Sequence, residues 1–339
     1  MKRTLLCAAT LAVVAISVNA PAAQAQGVTL RYRLEEGQVL VYRAVVDIEA
    51  HGKVETEADD GSKSSQHGWE SETHAEIVFS YTAGKSLPIG DIELKIEILD
   101  ITLTRATKNK EGRERFEMNT ERVRIYNGSK LVRDADWDEI ERDRPLSLRR
   151  GFNLQKVLRF SVQTTISDQG KISTMVRNET FETHAGYASF LRLLRSPPVL
   201  PAKPMTKGSS WEARDEQPIV EEPLSLTASQ RMWGTWKLHA TEAITHMGRR
   251  CARLSMKGEW SRAWEEEQIE VTANGSGSAI VDLATGVMFS YSSKIKQTAK
   301  AKESRNVDSK TQAETTATVT YIGGKELYDQ YKAKQAPEG

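Results

Sequence analysis

Two histidines and two glutamates that lie close together in the sequence could in principle bind a metal ion. His67 and His74 flank Glu70 and Glu72 in the segment QHGWESETHAE, and imidazole and carboxylate groups are common ligands of zinc. The surrounding segment, 51–73, is polar and poor in aliphatic residues, so nothing in it fixes the geometry of a metal site. We predict that this segment is a mobile hairpin tip or a disordered loop.

A second acidic cluster begins the spacing of a calcium-binding loop. Asp134, Asp136 and Asp138 occupy the first, third and fifth positions of that pattern. The pattern then requires glycine and glutamate where this chain has Glu139 and Pro145. Carboxylates also stabilise the N-terminus of a helix, so we predict a short helix that starts near Asp134. The same acids are the candidates for a hydrolase with dispersed carboxylates.

Four tryptophans lie within two neighbouring strand regions of the second half of the chain. A tryptophan has a large apolar surface and one polar N–H group. On a concave sheet such residues could hold an acyl chain or stack on a sugar, whereas between two sheets they would only fill the core. Both interpretations remain open, and we predict these residues as candidate ligand-binding residues: Trp233, Trp236, Trp260 and Trp264.

Sequence motifs of the common catalytic sites are absent. The chain has no Gly-rich phosphate loop and no G-x-S-x-G, H-E-x-x-H or C-x-x-C pattern. We therefore predict no catalytic residue, no metal and no cofactor, which favours a non-catalytic protein. The 47 Lys and Arg residues nearly balance the 46 Asp and Glu residues. Because nucleic-acid binders have a strongly basic surface, we predict no nucleic-acid partner.

The N-terminus has the features of a secretory signal peptide. Lys2 and Arg3 precede an uncharged apolar run, and the segment ends with Ala23-Gln24-Ala25. The run is shorter than the roughly 20 residues that a membrane-spanning helix needs. We predict cleavage after residues 1–25, export to the periplasm or the extracellular space, and no transmembrane segment.

Alternation of apolar and polar residues dominates the rest of the chain and predicts antiparallel strands with one buried face. In GVMFSYSSKIKQTAKAK the apolar residues have one parity and the lysines have the other, and SKTQAETTATVTYIGG alternates in the same way. We predict that these two segments form a hairpin with acidic and hydroxyl side chains opposite the lysines. Further strands are predicted at 28–34, 38–51, 74–83, 90–105, 159–167, 171–177, 235–246, 249–261 and 267–282.

One of these strands changes the parity of its apolar residues. In DIELKIEILDITLTR the apolar positions are even up to Ile98 and odd from Leu99 onward. A shift of one residue reverses the two faces of a strand unless a bulge absorbs it. We therefore predict a β-bulge at Ile98-Leu99.

Helices and linkers are few. The spacing of apolar residues predicts a helix at about 181–195, and the tail at 324–339 is polar and could form a frayed terminal helix. Four prolines in SPPVLPAKPMTKG make 196–208 a stiff linker. We place the boundary between an N-terminal β lobe, 26–195, and a C-terminal β lobe, 209–323, at this linker.

The two halves share short patterns that suggest an internal duplication. EGQVLVYR and KGSSWEAR each place a glycine before a strand with an aromatic residue and an arginine. Each half later contains a turn with an aspartate and a glycine, in TTISDQGKISTM and SAIVDLATGVMFSYS. The first copy would need extra residues, which 51–73 and 106–158 could contain. Convergent turn chemistry is the alternative explanation.

The chain also resembles a known family. LRYRLEEGQVLVYR, LPAKPMTKGSSWEA and GSGSAIVDLATGVMFSYSS are similar to segments of a family of exported bacterial proteins classed as a domain of unknown function. The resemblance implies export and a β-rich fold in two parts, and it implies no activity, cofactor or catalytic residue.

Together these observations predict a mainly β protein with two curved antiparallel lobes and few short helices. We expect an exported, non-catalytic binding or envelope-associated protein whose partner is a small molecule, a lipid or an envelope component. A periplasmic carrier of lipid or another apolar molecule is one alternative, and a hydrolase is the other.

Overall fold

The computed structural model describes residues 28–57, 62–88, 90–109, 112–143, 161–170, 172–177, 200–218, 231–264, 269–304 and 307–335. Strands occupy most of them, which confirms the predicted all-β class. The strands of the first half are β1 (Val39–Glu57), β2 (Lys63–Ser86), β3 (Ile92–Asn109), β4 (Gly112–Met118), β5 (Arg122–Asn127), β6 (Lys130–Asp136), β7 (Ser161–Ile166) and β8 (Ile172–Arg177). Those of the second half are β9 (Ser210–Pro218), β10 (Arg231–His246), β11 (Arg249–Trp264), β12 (Ile269–Asp282), β13 (Met288–Ser304) and β14 (Val307–Gly323). Two helices are described, α1 (Trp137–Asp143) and α2 (Lys325–Gln335).

The strands form one antiparallel sheet that contains both halves of the chain. The strand order is β6-β5-β4-β3-β2-β1-β14-β13-β12-β11-β10-β9, and β7 pairs with β3 and with β8. The first strand joins the last through a long ladder that runs from Val41 opposite Gly323 to Thr56 opposite Val307. One hydrophobic cluster includes residues of both halves. The predicted duplication into two lobes is therefore not confirmed.

The two halves nevertheless share a strand order and a turn. The neighbouring strands β1-β2-β3-β7-β8 correspond to β9-β10-β11-β12-β13, and β4 to β6 with α1 lie between β3 and β7 along the chain. Gly37 donates its N–H group to Ala83 O at 2.8 Å, and Gly208 donates to Ala240 O at the same distance. Both glycines have positive φ, 79° and 85°. The two glycines thus occupy similar turns, while the duplication itself stays a prediction.

Each strand has an inner face, which carries the hydrophobic cluster, and an outer face. Tyr42, Ala44 and Val46 lie on the inner face of β1, whereas Arg43, Asp47 and Glu49 have the opposite parity and are exposed. The same alternation continues on β14, where Ala317 and Val319 are buried and the intervening threonines are exposed. Burial of one face stabilises the sheet by roughly 25 cal/mol for each Å² of apolar surface removed from water.

The predicted bulge in β3 is confirmed. On β2, Val78 pairs with Asp100 and the next residue, Phe79, pairs with Ile98, so Leu99 is the extra residue. Leu99 is buried on the outer face together with Val39, Val41 and Val78, and α2 packs over this patch through Leu327, Tyr328 and Tyr331.

The helix predicted near Asp134 begins at Trp137. Asp136 Oδ1 accepts a hydrogen bond from the N–H group of Glu139 at 2.8 Å, and Glu139 Oε2 accepts one from the N–H group of Asp136 at 3.3 Å. This reciprocal pair is a capping box. The acids therefore stabilise the helix start, as the sequence indicates.

The predicted hairpin of β13 and β14 is confirmed with its charge pairing. Lys296 lies opposite Glu314, and the ammonium groups of Lys294 and Lys296 both form ion pairs with that carboxylate.

The secondary structure departs from the sequence analysis at three places. Segment 51–73 belongs to a hairpin, as one of the two alternatives predicted, but most of it is strand, because β1 continues to Glu57 and β2 resumes at Lys63. The predicted strand 28–34 makes only an isolated bridge between Val28 and Met205. The sequence analysis did not predict strands β4 to β6. The predicted helix at 181–195 lies outside the described residues, and so do residues 196–199 of the linker.

Candidate ligand-binding face

The inner face of the sheet is closed at one end by the segment 28–34. Leu30 and Tyr32 are buried in the main hydrophobic cluster, beside Leu200 and Met205 of the proline-rich segment. Burial and the neighbouring Tyr81 raise the pKa of Tyr32 well above its ordinary value. This end of the inner face is therefore a packed interior.

Two turns hold the segment in place. The N–H group of Tyr32 donates to Asp168 O at 2.7 Å, and that of Arg33 donates to Thr285 O at 2.8 Å. The guanidinium of Arg31 forms an ion pair with Asp168 at 2.7 Å. The two turns with an aspartate and a glycine, which the sequence repeats, thus bind the same short segment.

Toward the opposite end of the strands, the inner face carries smaller and less buried residues. One cross-strand row joins Ile48, Thr315, Ile295 and Gly275, and a second row joins Ala50, Ala313, Gln297 and Ala273. We call these eight residues the apolar strip. Most of its members are half-buried, although Ala273 is buried and Gln297 is exposed. Half-buried apolar side chains that continue from a core can contact an apolar ligand.

Two of the predicted tryptophan positions lie in the same two rows. Gly275 pairs with Gly258, which pairs with Trp236, and Ala273 pairs with Trp260. Trp264 lies farther along β11, opposite Ile269, whereas Trp233 pairs with Glu216 on β9. The side chains of the four tryptophans lie outside the described part of the structure, so their role as ligand-binding residues stays a prediction. The sequence analysis did not identify the apolar strip, since its residues belong to four different strands and meet only through the pairing of those strands.

The outer face beside the strip is charged. Arg43 and Glu76 form an ion pair, and His74 Nδ1 lies 2.7 Å from Asp47 Oδ1. The hydrogen bond to Asp47 raises the pKa of His74, and the hydrogen bond from Arg43 lowers the pKa of Glu76. The outer face beside the strip is therefore polar, in contrast to the inner face.

The candidate acids of the sequence analysis have structural partners. Asp134 accepts from Arg122 at 3.0 Å and lies 3.5 Å from Arg124. Asp136 and Glu139 form the helix cap. Within the described residues, no group of three or more His, Cys, Asp and Glu side chains could hold a metal ion.

Neither helix in the described part of the chain is long and apolar enough to cross a membrane.

Comparisons with known proteins identify no family. No protein-family model matches the chain, so the resemblance seen in the sequence is not confirmed. No curated protein matches it significantly.

Several solved structures are similar to the chain at low identity. A structure titled "Lipid-protein interactions in lipovitellin" aligns with 9% identity and a TM-score of 0.43 over 86% of this chain, which spans about a quarter, 26%, of that one. The translocator domain of the autotransporter NalP from Neisseria meningitidis aligns with 6% identity and a TM-score of 0.20, covering 85% of this chain and 90% of that one. An outer membrane channel from Pseudomonas putida F1 aligns with 9% identity and a TM-score of 0.22, covering 86% of this chain and 98% of that one. These values are too low to transfer a function.

Proposed function

We propose that this protein is an exported, non-catalytic binding protein that holds an apolar molecule against the apolar strip. In this proposal it works in the periplasm or the extracellular space, as an envelope-associated protein or as a carrier of lipid or another apolar molecule. The observation that carries the proposal is that the inner face stays apolar and half-buried at Ile48, Ile295 and Ala313, beyond the packed end of the sheet.

The geometry of the rows supports this assignment. Side chains in adjacent strands of one row lie about 5 Å apart, so the glycines of the first row and the alanines of the second would leave a shallow channel beside the larger side chains of the strip. Gly275 and Gly258 are consecutive members of one row and have no side chain to fill it. An extended apolar chain could lie there, with Trp236 and Trp260 at one end of the channel.

Binding of an uncharged apolar fluorophore tests the proposal. N-phenyl-1-naphthylamine should bind the purified mature protein saturably and increase in fluorescence. Ala313→Trp would fill the channel and should weaken binding by roughly tenfold or more, because the probe loses much of its buried apolar contact. Thr316→Trp is the matched control, since Thr316 is exposed on the outer face of the same strand. Equal affinity of the two variants would contradict the proposal.

Alanine substitutions of the tryptophans test the remaining prediction separately. Trp236→Ala and Trp260→Ala should weaken binding of the same probe if these residues contact the ligand. Mass spectrometry of an organic extract of the purified protein would then identify a co-purified ligand, and a ligand-free extract combined with no probe binding would contradict a carrier function.

A further inference from the structure

A second candidate site lies at the closed end of the sheet, away from the apolar strip. An open hollow of about 490 Å³ is lined by Val28, Arg249, Arg250, Asp282, Leu283 and Ala284. The lining comes from the N-terminal segment, from β11 and from the turn between β12 and β13. It thus combines two cations, one carboxylate and three apolar residues.

The carboxylate of the hollow is part of the protein framework. The side chain of Asp282 is only 1% exposed, and its Oδ2 accepts hydrogen bonds from Thr285 Oγ1 at 2.7 Å and Arg249 Nη1 at 2.9 Å. Its Oδ1 accepts the N–H group of Ala284 at 3.1 Å. Burial alone would raise the pKa of Asp282, but these hydrogen bonds together lower it. The carboxylate of Asp282 is therefore ionised, and its oxygens already accept hydrogen bonds from the turn and from Arg249.

The same contacts orient the cations. Asp282 fixes one edge of the Arg249 guanidinium, whose side chain is still 57% exposed, so its other N–H groups are available. Arg250 is exposed, and among the described residues no carboxylate forms an ion pair with it. One positive charge of the hollow is thus not neutralised by the residues that line it.

The rest of the hollow is apolar. Val28 and Leu283 are half-buried beside the arginines, and Ala284 is exposed. Arginine binds phosphate and carboxylate groups through parallel hydrogen bonds, and an adjacent apolar wall favours a ligand with a short hydrocarbon part. We propose that this hollow binds the anionic head group of an amphiphile, with Arg250 and Arg249 as donors and Val28 and Leu283 as the apolar contact. This site is independent of the proposed function of the strip.

Calorimetric titration with hexyl phosphate, inorganic phosphate and hexanol tests this assignment. Hexyl phosphate should bind more tightly than inorganic phosphate, and hexanol should not bind at the hollow. Arg250→Gln should weaken hexyl phosphate binding by roughly tenfold or more, because a hydrogen bond to a charged group is lost. Lys257→Gln, which removes an exposed cation farther along the same strand, should leave binding unchanged.

The outcomes separate this site from the strip. Equal affinity for hexyl phosphate and inorganic phosphate would contradict the apolar contact. An unchanged affinity of the Arg250→Gln variant for hexyl phosphate would contradict the site itself. Leu283→Ser provides a second variant, which should weaken binding of hexyl phosphate but not of inorganic phosphate. Ala313→Trp should leave hexyl phosphate binding intact, and its loss in that variant would assign the probe to the strip and overturn the proposal.

Discussion

Gly286 shows how one residue joins the end of the sheet to the N-terminal segment. It has a φ of 71°, and a Cβ atom at this position would lie 2.2 Å from the carbonyl oxygen of Arg31. Glycine is thus needed both for the backbone conformation and for the close approach of another backbone. Gly248 has a similar φ of 72°, but a Cβ atom there would have no neighbour within 4 Å.

These two glycines make a matched pair of substitutions. Gly248→Ala should lower the free energy of unfolding by about 1 kcal/mol, which is the cost of positive φ alone. Gly286→Ala should lower it by about 2 to 4 kcal/mol, since the new methyl group also displaces the segment around Arg31. Chemical denaturation measures both values. Equal losses would show that the turn and the N-terminal segment do not constrain each other.

Helix α2 packs on the outer face at the bulge, where it contacts the buried carboxylate of Glu97 in β3. Tyr328 donates to Glu97 Oε2 at 2.8 Å, Lys95 lies 3.1 Å from Glu97 Oε1, and Gln335 donates to Leu99 O at 2.6 Å. Burial alone would raise the pKa of Glu97, but the hydrogen bonds from Tyr328 and Lys95 give it a net lowered pKa. The sequence analysis described this tail as polar and did not predict that its leucine and tyrosines pack on a bulge.

The docking of α2 should depend on pH in acid. Because the pKa of Glu97 is lowered in the folded protein, its contribution is fully present above its ordinary value of 4.5. It is lost as the pH falls through the lowered folded value. Hydrogen exchange of the α2 amides, corrected for intrinsic rates, should therefore show weaker protection at about pH 3 than at neutral pH.

Two variants check the origin of this effect. Glu97→Gln should weaken protection at neutral pH and remove most of the pH dependence. Glu259→Gln, which removes an exposed carboxylate on β11 away from α2, should leave the profile unchanged. Protection that is the same in acid and at neutral pH in the unmodified protein would contradict the assigned role of Glu97.

Sequence patterns predicted the elements whose signals are local. The parity change at Leu99 and the alternation of β13 and β14 depend on neighbours in sequence, and both predictions are confirmed. In 28–34 the alternation does not come from a strand. This segment crosses the end of the hydrophobic core and buries Leu30 and Tyr32 in it. Strands β4 to β6 were missed because they are short and because charged residues, above all arginine, interrupt their apolar pattern. The hollow and the strip were missed because each forms only when distant strands meet.

At the scale of the whole molecule, the ladder between β1 and β14 joins both halves of the sequence. The boundary proposed at 196–208 is compatible with the proline spacing, but Arg31 donates hydrogen bonds to Pro201 O at 2.9 Å and to Ala202 O at 2.8 Å. The proline-rich segment therefore packs against the N-terminal segment at Pro201 and Ala202. The halves should be strongly coupled in stability.

Dividing the chain tests this coupling. Fragments 26–202 and 203–339 made separately should each lack a cooperative unfolding transition, because each leaves β1 or β14 without its partner strand. Mixing them should restore the transition, measured by circular dichroism. The control is the intact protein cleaved after folding at a protease site inserted beside the exposed Lys203, which should stay associated. Independent cooperative folding of each fragment would instead establish two autonomous lobes.

The pairing of β1 with β14 also sets the order in which the molecule can mature. Val46 is synthesised well before its partner Ala317, which lies in the other half of the described sequence. During that interval one edge of β1 has no ladder, and such edges readily recruit strands from other chains. Assembly of the complete sheet must therefore wait until β14 has been synthesised, and a chaperone that covers the unpaired edge of β1 should raise the yield of correctly assembled protein.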